Sequence, residues 1–166
     1  MGTLHDAALE ALVIDSVNRV LDRTDYSPED REDTGGEDFW IVGPQGEVAI
    51  AEVKGISGDV RRRDVNQVDN HRSELGRSDD ELPGLLVINT YRGDDDLERK
   101  RQAPHPSVLR LLRSQNVLLL RGADLYELVS RAINGEHVGD RLVEALSAGG
   151  GWLEATPERI EVRQPQ

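Results

Sequence analysis

The sequence predicts an α/β protein built on a mixed β-sheet with helices on both faces. An amphipathic pattern near the N-terminus is typical of a helix, and two apolar runs that flank Gly43–Gly46 predict an antiparallel hairpin. Farther along, short continuous apolar runs, which are typical of buried strands, alternate with helical patterns. A hairpin followed by strand–helix–strand units favours a mixed sheet between two layers of helices.

The N-terminal half of the chain predicts a helix, a polar loop, the hairpin and a second helix. The first helix carries apolar residues at helical spacing, and the second turns Val65, Val68 and Leu75 inward. The loop between the first helix and the hairpin contains Pro28 and Gly35–Gly36, which favour a break in regular structure. In chain order these elements are predicted at residues 4–23, 24–37, 38–42 with 47–54, and 61–76.

The C-terminal half predicts two buried strands, Leu85–Asn89 and Val117–Leu120. Residues 90–104 between them are predicted to form a charged loop. Asp124 is the expected cap of the helix that follows the second strand. Helices are predicted at residues 106–114, 123–134 and 138–147.

The regular structure is predicted to end at Gly149–Gly151. A chain of 166 residues is long enough for one domain with its own core. We therefore expect a domain over residues 1–148 and a C-terminal tail over residues 149–166, with at most one short edge strand at Ile160–Val162.

Composition limits the function classes that are open. The chain has no Cys, which excludes disulfides and thiolate metal sites. It has no signal-peptide pattern and no apolar run near the ~20 residues of a membrane span, so we expect a cytoplasmic protein without membrane contact. The net charge of −12 disfavours general nucleic-acid binding, because phosphate contacts dominate affinity. It does not exclude a nuclease, since divalent metals offset carboxylates and arginines can cluster.

The hairpin carries the residues with the clearest chemical meaning. Side chains alternate along a strand, so Glu52 and Lys54 are predicted to share one face of the sheet with Val48 and Ile50. Asp38 opens the partner strand and is expected opposite Glu52. Two carboxylates form a hard-oxygen site for Mg²⁺ or Mn²⁺, and a neighbouring lysine stabilises developing charge or orients a water.

Lys54 is informative because the chain has only two lysines, the other being Lys100. The remaining basic residues are arginines, which stay protonated, whereas an ammonium is a compact charge whose pKa shifts readily on burial. The alternative is an ordinary ion pair between Glu52 and Lys54 at the end of a strand, since such triplets are common.

These residues resemble the PD-(D/E)XK, or restriction-endonuclease-like, nuclease superfamily. In that family an acidic residue begins one strand of a hairpin and an acidic-x-Lys triplet ends the next, as Asp38 and Glu52-Val53-Lys54 do here; Glu37 stands where the family often has Pro. The resemblance covers roughly residues 4–134. Three stretches also resemble uncharacterised bacterial members, which are often joined to other domains: Ala51–Gly55, Asp64–Val68, and Asn89–Arg92 with Leu118–Tyr126.

The resemblance implies a restriction-endonuclease-like mixed sheet and an endonuclease that depends on Mg²⁺ or Mn²⁺. Asp38, Glu52 and the carbonyl of Val53 would hold the ion, and Lys54 would help to activate water. The family often adds a Glu from the first helix and a Gln from the helix after the triplet. Glu10 and Gln67 are the matching residues here.

Glu10 and Gln67 can also be judged from their positions. Glu10 lies at helical spacing with Ile14, Val17 and Leu21, and a glutamate on an apolar stripe is costly unless it is paired or bound to a metal. The alternative is a glutamate at the edge of the helix that reaches solvent. Gln67 lies near the buried stripe of its helix, where its amide would bond a phosphate or the attacking water, or would simply be solvated.

Nucleic-acid contacts are expected from Arg61, Arg62 and Arg63, which begin the second predicted helix just after the triplet. Three cations there would grip phosphates, or would form a solvated run balanced by neighbouring aspartates. His71, one turn after Gln67, is interpreted as a surface histidine, with a proton shuttle as the alternative.

Two functions of different classes follow. The first is a metal-dependent nuclease, with DNA as the favoured substrate and defence or repair as open roles. The second is a catalytically silent relative that binds nucleic acid or protein; a second copy of the chain or a partner domain is a further open partner. An ion-paired hairpin in an unrelated α/β domain is the third interpretation. Low aromatic content mildly favours recognition of a duplex backbone.

Overall fold

A computed structural model describes residues 4–30, 39–90 and 97–165, with the backbone alone for residues 4–6 and 97. The described residues form one seven-stranded sheet and six helices. The strands are β1 (Ser27–Glu29), β2 (Phe39–Gly43), β3 (Gly46–Gly55), β4 (Gly84–Asn89), β5 (Val117–Arg121), β6 (Gly151–Ala155) and β7 (Ile160–Arg163). The helices are α1 (Leu4–Leu21), α2 (Arg62–Glu74), α3 (Leu97–Arg101), α4 (Pro106–Ser114), α5 (Gly122–Ile133) and α6 (Gly139–Leu146).

The sheet is mixed, and its strands lie side by side in chain order. Strands β1, β2 and β3 form an antiparallel meander, strands β3 to β6 run parallel, and β7 returns antiparallel to β6. Parallel neighbours need a crossover, and α2, α4 and α5 lie in the three connections between them. The prediction of an α/β protein with a mixed sheet is confirmed.

Two apolar layers lie on opposite faces of the sheet. One layer packs α1, α5 and α6 against residues such as Phe39, Ala51 and Val87. The other packs α2 and α4 against residues such as Ile50 and Leu86. Because neighbouring residues of a strand point to opposite faces, both helical layers follow from the continuous apolar runs of the central strands.

Helix α2 is anchored to the sheet by Arg72, which is fully buried. Its guanidinium donates to the carbonyl oxygens of Leu82 and Asn116, at 3.0 and 3.2 Å, and to Asp69 on its own helix, at 2.8 Å. A buried arginine is tolerated when its donors are paired, and these contacts tie α2 to the segments that lead into β4 and β5. The helix that follows β3 is therefore held in a fixed position over it.

The sequence-based boundaries agree with most of these elements, but three short ones were missed, two of them inside predicted loops. The segment predicted as the loop 24–37 contains β1, and the segment predicted as the loop 90–104 contains α3. Strand β1 has only three residues, Pro28 is its middle one, and it lies at the edge of the sheet. Such a strand has no apolar alternation to reveal it, and its pairing with β2 is a tertiary contact.

The expected C-terminal tail contains a second missed strand. Gly151–Ala155 forms β6, which pairs with β5 on one side and β7 on the other, whereas Ile160–Arg163 confirms the predicted edge strand. Gly149, Gly150 and Gly151 all have positive φ. A Cβ on Gly151 would lie 2.7 Å from the carbonyl oxygen of Arg163. The glycines thus form a tight entry into β6 and not the end of regular structure.

Asp124 does not cap α5 as expected, because the capping position is Arg121. Asp124 is buried inside the first turn and accepts hydrogen bonds from Trp152 Nε1, at 3.0 Å, and from the backbone N–H of Ala155, at 3.1 Å. It therefore joins α5 to β6. None of the helices in the described part of the chain is both long enough and apolar enough to span a membrane.

Candidate catalytic site at the end of strand β3

Glu52 and Lys54 lie at the carboxyl end of β3 and point to the face that α2 covers. Their neighbours in the parallel pairing are Leu86 and Ile88 of β4. Glu52 contacts His71 of α2, and Lys54 contacts Asp64 of the same helix. The prediction that the two residues share one face of the sheet is confirmed.

Glu52 is buried and is held by His71. The contact joins Glu52 Oε1 to His71 Nδ1, and the side chains are 5% and 23% exposed, respectively. A carboxylate that is removed from water needs donors, and an imidazole with a proton on Nδ1 supplies one. The contact fixes the direction of the Glu52 carboxylate.

Lys54 is held by Asp64, with 3.4 Å between Nζ and Oδ1. Asp64 is buried at the first turn of α2, where its Oδ2 accepts the backbone N–H of Arg61 at 2.8 Å. A carboxylate at this end of a helix is favoured by the helix dipole. The start of α2 thus positions the ammonium of Lys54, whose side chain remains 24% exposed.

The structure describes the partner strand from Phe39 onward. Phe39 pairs with Ala51, the residue before Glu52. Asp38, the acidic residue expected opposite Glu52, lies outside the described residues. The antiparallel hairpin on which that expectation depends is present, and Gly46, with a φ of 110°, closes its turn.

Glu10 and Gln67 lie on two helices that pack on opposite faces of the sheet. Glu10 is half-buried on α1, and that helix packs on the sheet face opposite to Glu52. Gln67 is exposed on α2, between the turns that carry Asp64 and His71. The residues of α2 that meet the triplet are therefore Asp64 and His71, whereas the roles of Glu10 and Gln67 stay predictions.

The sequence offered one signal for this pair. Asp64 and His71 are seven residues apart, which is two turns of a helix, so they share a face with the buried Val65 and Val68. His71 was interpreted as a surface histidine because an isolated histidine gives no periodic signal. Its contact with Glu52 depends on how α2 lies across β3, which the sequence pattern does not specify.

The described residues supply only some of the oxygen ligands that an ion such as Mg²⁺ needs. Within residues 4–30, 39–90 and 97–165, no group of three or more His, Cys, Asp or Glu side chains is arranged to hold a metal. Glu52 supplies a buried carboxylate, and Val53, the next residue of β3, carries a backbone carbonyl oxygen. This donor chemistry fits Mg²⁺ or Mn²⁺, and the second carboxylate of the predicted site is Asp38, beyond the described part.

Arg61, Arg62 and Arg63 are exposed at the start of α2. They follow β3 by one short connection, so they lie on the same edge of the sheet as Lys54. The cluster therefore begins α2 as expected, and its part in a reaction site and its contact with nucleic acid stay predictions.

A second buried charge network lies at the carboxyl end of β5. The Arg121 guanidinium carbon lies 4.7 Å from the centre of the Trp152 ring. Its Nη1 lies 3.7 Å from Oδ1 of Asp59. Burial raises the pKa of Asp124 above its usual 3.8, although the hydrogen bonds from Trp152 and Ala155 and the nearby Arg121 partly oppose that shift. The sequence analysis did not single out this network, because its members are distant along the chain.

Comparison with models of protein families, with curated proteins and with solved structures finds no match to the chain.

Proposed function

We propose that the chain is a metal-dependent nuclease that hydrolyses phosphodiester bonds, with a restriction-endonuclease-like arrangement of its sheet. The observation that carries the proposal is the position of Glu52 and Lys54. One residue, Val53, separates them, so they share one face of β3 near its carboxyl end. The strand belongs to an antiparallel hairpin. An acidic-x-Lys triplet at the end of the second hairpin strand is the arrangement that the resemblance to PD-(D/E)XK nucleases implies.

Each residue has a distinct role in the proposal. Asp38, Glu52 and the carbonyl of Val53 would hold Mg²⁺ or Mn²⁺, and the ion would supply Lewis-acid chemistry at the phosphate. Lys54 stabilises the charge that develops on the phosphate or orients the attacking water. Asp64 aims the lysine, and His71 aims the Glu52 carboxylate.

The electrostatics support a localised phosphate site and not a broad basic surface. The chain carries a net charge of −12, so long-range attraction of nucleic acid is weak. Close contacts are available from Lys54 and from the exposed arginines 61–63 on the same edge. DNA remains the favoured polymer, as an inference from the resemblance.

One observation favours the second candidate, a catalytically silent module of the same fold. Lys54 and Glu52 are each already in contact with a side chain of α2. Internal pairing of this kind would serve a purely structural element equally well. The two candidates differ in whether the pair contributes to a reaction.

The deciding experiment is cleavage of labelled single-stranded and plasmid DNA and RNA by the full chain, with Mn²⁺ and with EDTA. We expect cleavage in Mn²⁺, none in EDTA, and loss of cleavage in Glu52→Gln. The matched control is Glu161→Gln, a carboxylate lost from β7 at the far edge of the sheet.

Retained cleavage in Glu52→Gln would exclude Glu52 from the reaction. Absence of cleavage in the wild type on every polymer, together with absence of Mn²⁺ binding by calorimetry, would favour the silent module.

A further inference from the structure

A cavity of about 560 Å³ opens beside the candidate site. It lies between α1, α5 and the carboxyl ends of β3 and β4, on the sheet face opposite to Glu52. Its volume falls within the ~300–1,000 Å³ typical of small-molecule sites. Its walls are mainly aliphatic, from Leu9, Val13, Val53, Val87, Leu125 and Val129.

The polar residues that line the cavity are few, and three of them are basic. Lys54 forms part of the wall, and Lys100 and Arg101 of α3 lie along another side. Asn89, at the end of β4, adds a side-chain amide, which has N–H donors and a carbonyl acceptor. An occupant with an apolar or aromatic body and an anionic group fits this distribution.

Lys54 connects the cavity to the candidate catalytic site. Lys54 is among the residues that line the cavity at the carboxyl end of β3, and its ammonium is held by Asp64 on the α2 side of the sheet. An anionic group beside Lys54 would therefore lie at the mouth of the cavity and next to the Glu52-Val53-Lys54 triplet.

The rim of the cavity exposes apolar surface. Tyr126 and Leu12 both line it, with 73% and 63% of their surfaces in contact with solvent. A tyrosine ring so placed offers a stacking face, and stacking between a base and an aromatic ring contributes ~1–3 kcal/mol.

We propose that this cavity receives the base of an unpaired nucleotide whose phosphate lies against Lys54. The substrate class is then single-stranded nucleic acid, or a strand from which one base has been turned out. The identity of the polymer rests on the proposed nuclease function. Within a paired duplex the bases are stacked and cannot enter an aliphatic cavity, so recognition here requires an unpaired base.

Binding measured in EDTA tests this separately from any metal-dependent reaction. The probes are a fluorescein-labelled thymidine 12-mer, a 12-mer of abasic residues with the same phosphates, and a 12-base-pair duplex. We expect the thymidine strand to bind about tenfold more tightly than the abasic strand, because the bases add stacking and apolar contact. The duplex should bind no better than the abasic strand.

Two variants locate that difference in the cavity. Ala123 lines the cavity from α5, so Ala123→Leu fills it without adding an aromatic face and should make the thymidine and abasic strands bind equally. Arg101→Ser should lower the salt dependence of binding by about one ion, whereas Arg110→Ser, an exposed arginine on α4, should not. Circular dichroism and the melting temperature show whether each variant is folded. If Ala123→Leu does not fold, Tyr126→Ser, at an exposed position, takes its place.

Equal binding of the abasic and thymidine strands by the wild type would overturn the proposal. An unchanged preference for the thymidine strand in the folded Ala123→Leu variant would also overturn it. So would a fluorescent fatty-acid probe that binds in the cavity and is not displaced by nucleic acid. If the wild type cleaves DNA in Mn²⁺ but shows no base preference, the nuclease function stands and the cavity assignment fails. If the wild type prefers the thymidine strand but does not cleave in Mn²⁺, the cavity assignment stands and the nuclease function fails.

Discussion

Glu52 and Asp124 are two buried carboxylates near the carboxyl ends of parallel strands, and their partners differ. Asp124 is held by an indole N–H and a backbone N–H, which do not titrate near neutral pH. Glu52 is held by the imidazole of His71, which is partly exposed. Fixed neutral donors suit a structural anchor between α5 and β6, whereas partly exposed ionisable partners suit a place where charge changes during a reaction.

The largest difference between the two regions should be seen in Lys54→Ala. We expect cleavage to fall by about 10²- to 10³-fold with little change in Mn²⁺ binding or folding, because the proposed role of the lysine is to stabilise charge that develops only in the transition state. Lys54→Arg should recover little of the activity, since a planar guanidinium does not reproduce a compact ammonium charge.

Single-turnover cleavage rates with saturating Mn²⁺ give this comparison, and Arg159→Ala on the far edge of the sheet is the control. If Lys54→Ala cleaves at the wild-type rate, the β3 triplet is an ordinary ion pair at the end of a strand and has no part in cleavage.

Asp124→Ala should affect stability more than any substitution at the candidate site. It leaves the Trp152 indole and the Ala155 amide without their acceptor and removes a carboxylate beside Arg121, so we expect a loss of about 2–4 kcal/mol in the free energy of unfolding. Urea unfolding followed by tryptophan fluorescence measures it, with the surface substitution Glu158→Ala as the control.

The same carboxyl gives a pH dependence with a defined sign. Because folding raises the pKa of Asp124, the folded state holds that proton more tightly than the unfolded chain does. Its contribution is complete below the unfolded value of 3.8 and is lost as the pH rises through the raised folded value. The stability of the wild type relative to Asp124→Asn should therefore decline as the pH rises above 3.8, and a difference that grows with pH would contradict this.

His71 sharpens the comparison from the Glu52 side. If Nδ1 aims the carboxylate at the metal, His71→Ala should weaken Mn²⁺ binding by about 10- to 100-fold. Asn places an N–H donor near the position of Nδ1 and should preserve most of the affinity, whereas Gln places it near Nε2 and should not.

Calorimetry of the three variants is compared with His137→Ala, which removes an exposed histidine. Equal affinities for the Asn and Gln variants would show that the ring serves only to fill space.

The smallest effect is expected from the exposed arginines. Arg61→Ala with Arg62→Ala should leave the cleavage rate at saturating substrate near that of the wild type. It should reduce the salt dependence of nucleic-acid binding by about two ions, since each arginine contacts one phosphate. Anisotropy titrations over a range of salt concentrations measure this, and an unchanged slope would place the polymer elsewhere.

Periodicity alone predicted most of the fold. The hairpin, the buried strands at 85–89 and 117–120 and the helices around them lie within a few residues of their predicted bounds, because each carries a local apolar pattern. The elements that were missed, β1, α3 and β6, have three to five residues, and the two strands among them are defined by pairing with distant segments.

The candidate site, like the fold, was predicted from the sequence only in part. Alternation along β3 was enough to place Glu52 and Lys54 on one face, and this is a property of any strand. Their contacts with His71 and Asp64 required α2 to lie across β3 at one angle, which the buried Arg72 and the strand register fix. Gln67 was favoured over His71 because the resemblance supplied it, whereas packing turned the histidine inward and left the glutamine in solvent.

By itself the sequence determined most of the strands and helices, which residue types are absent, and that an acid and a lysine share one face. Those features depend on short-range periodicity and on composition. The tertiary structure decided which side chains close around that pair, that Asp124 anchors β6, and that a cavity lined by Lys54, Lys100 and Arg101 adjoins the site. These contacts join residues tens of positions apart, and their geometry depends on how whole elements pack.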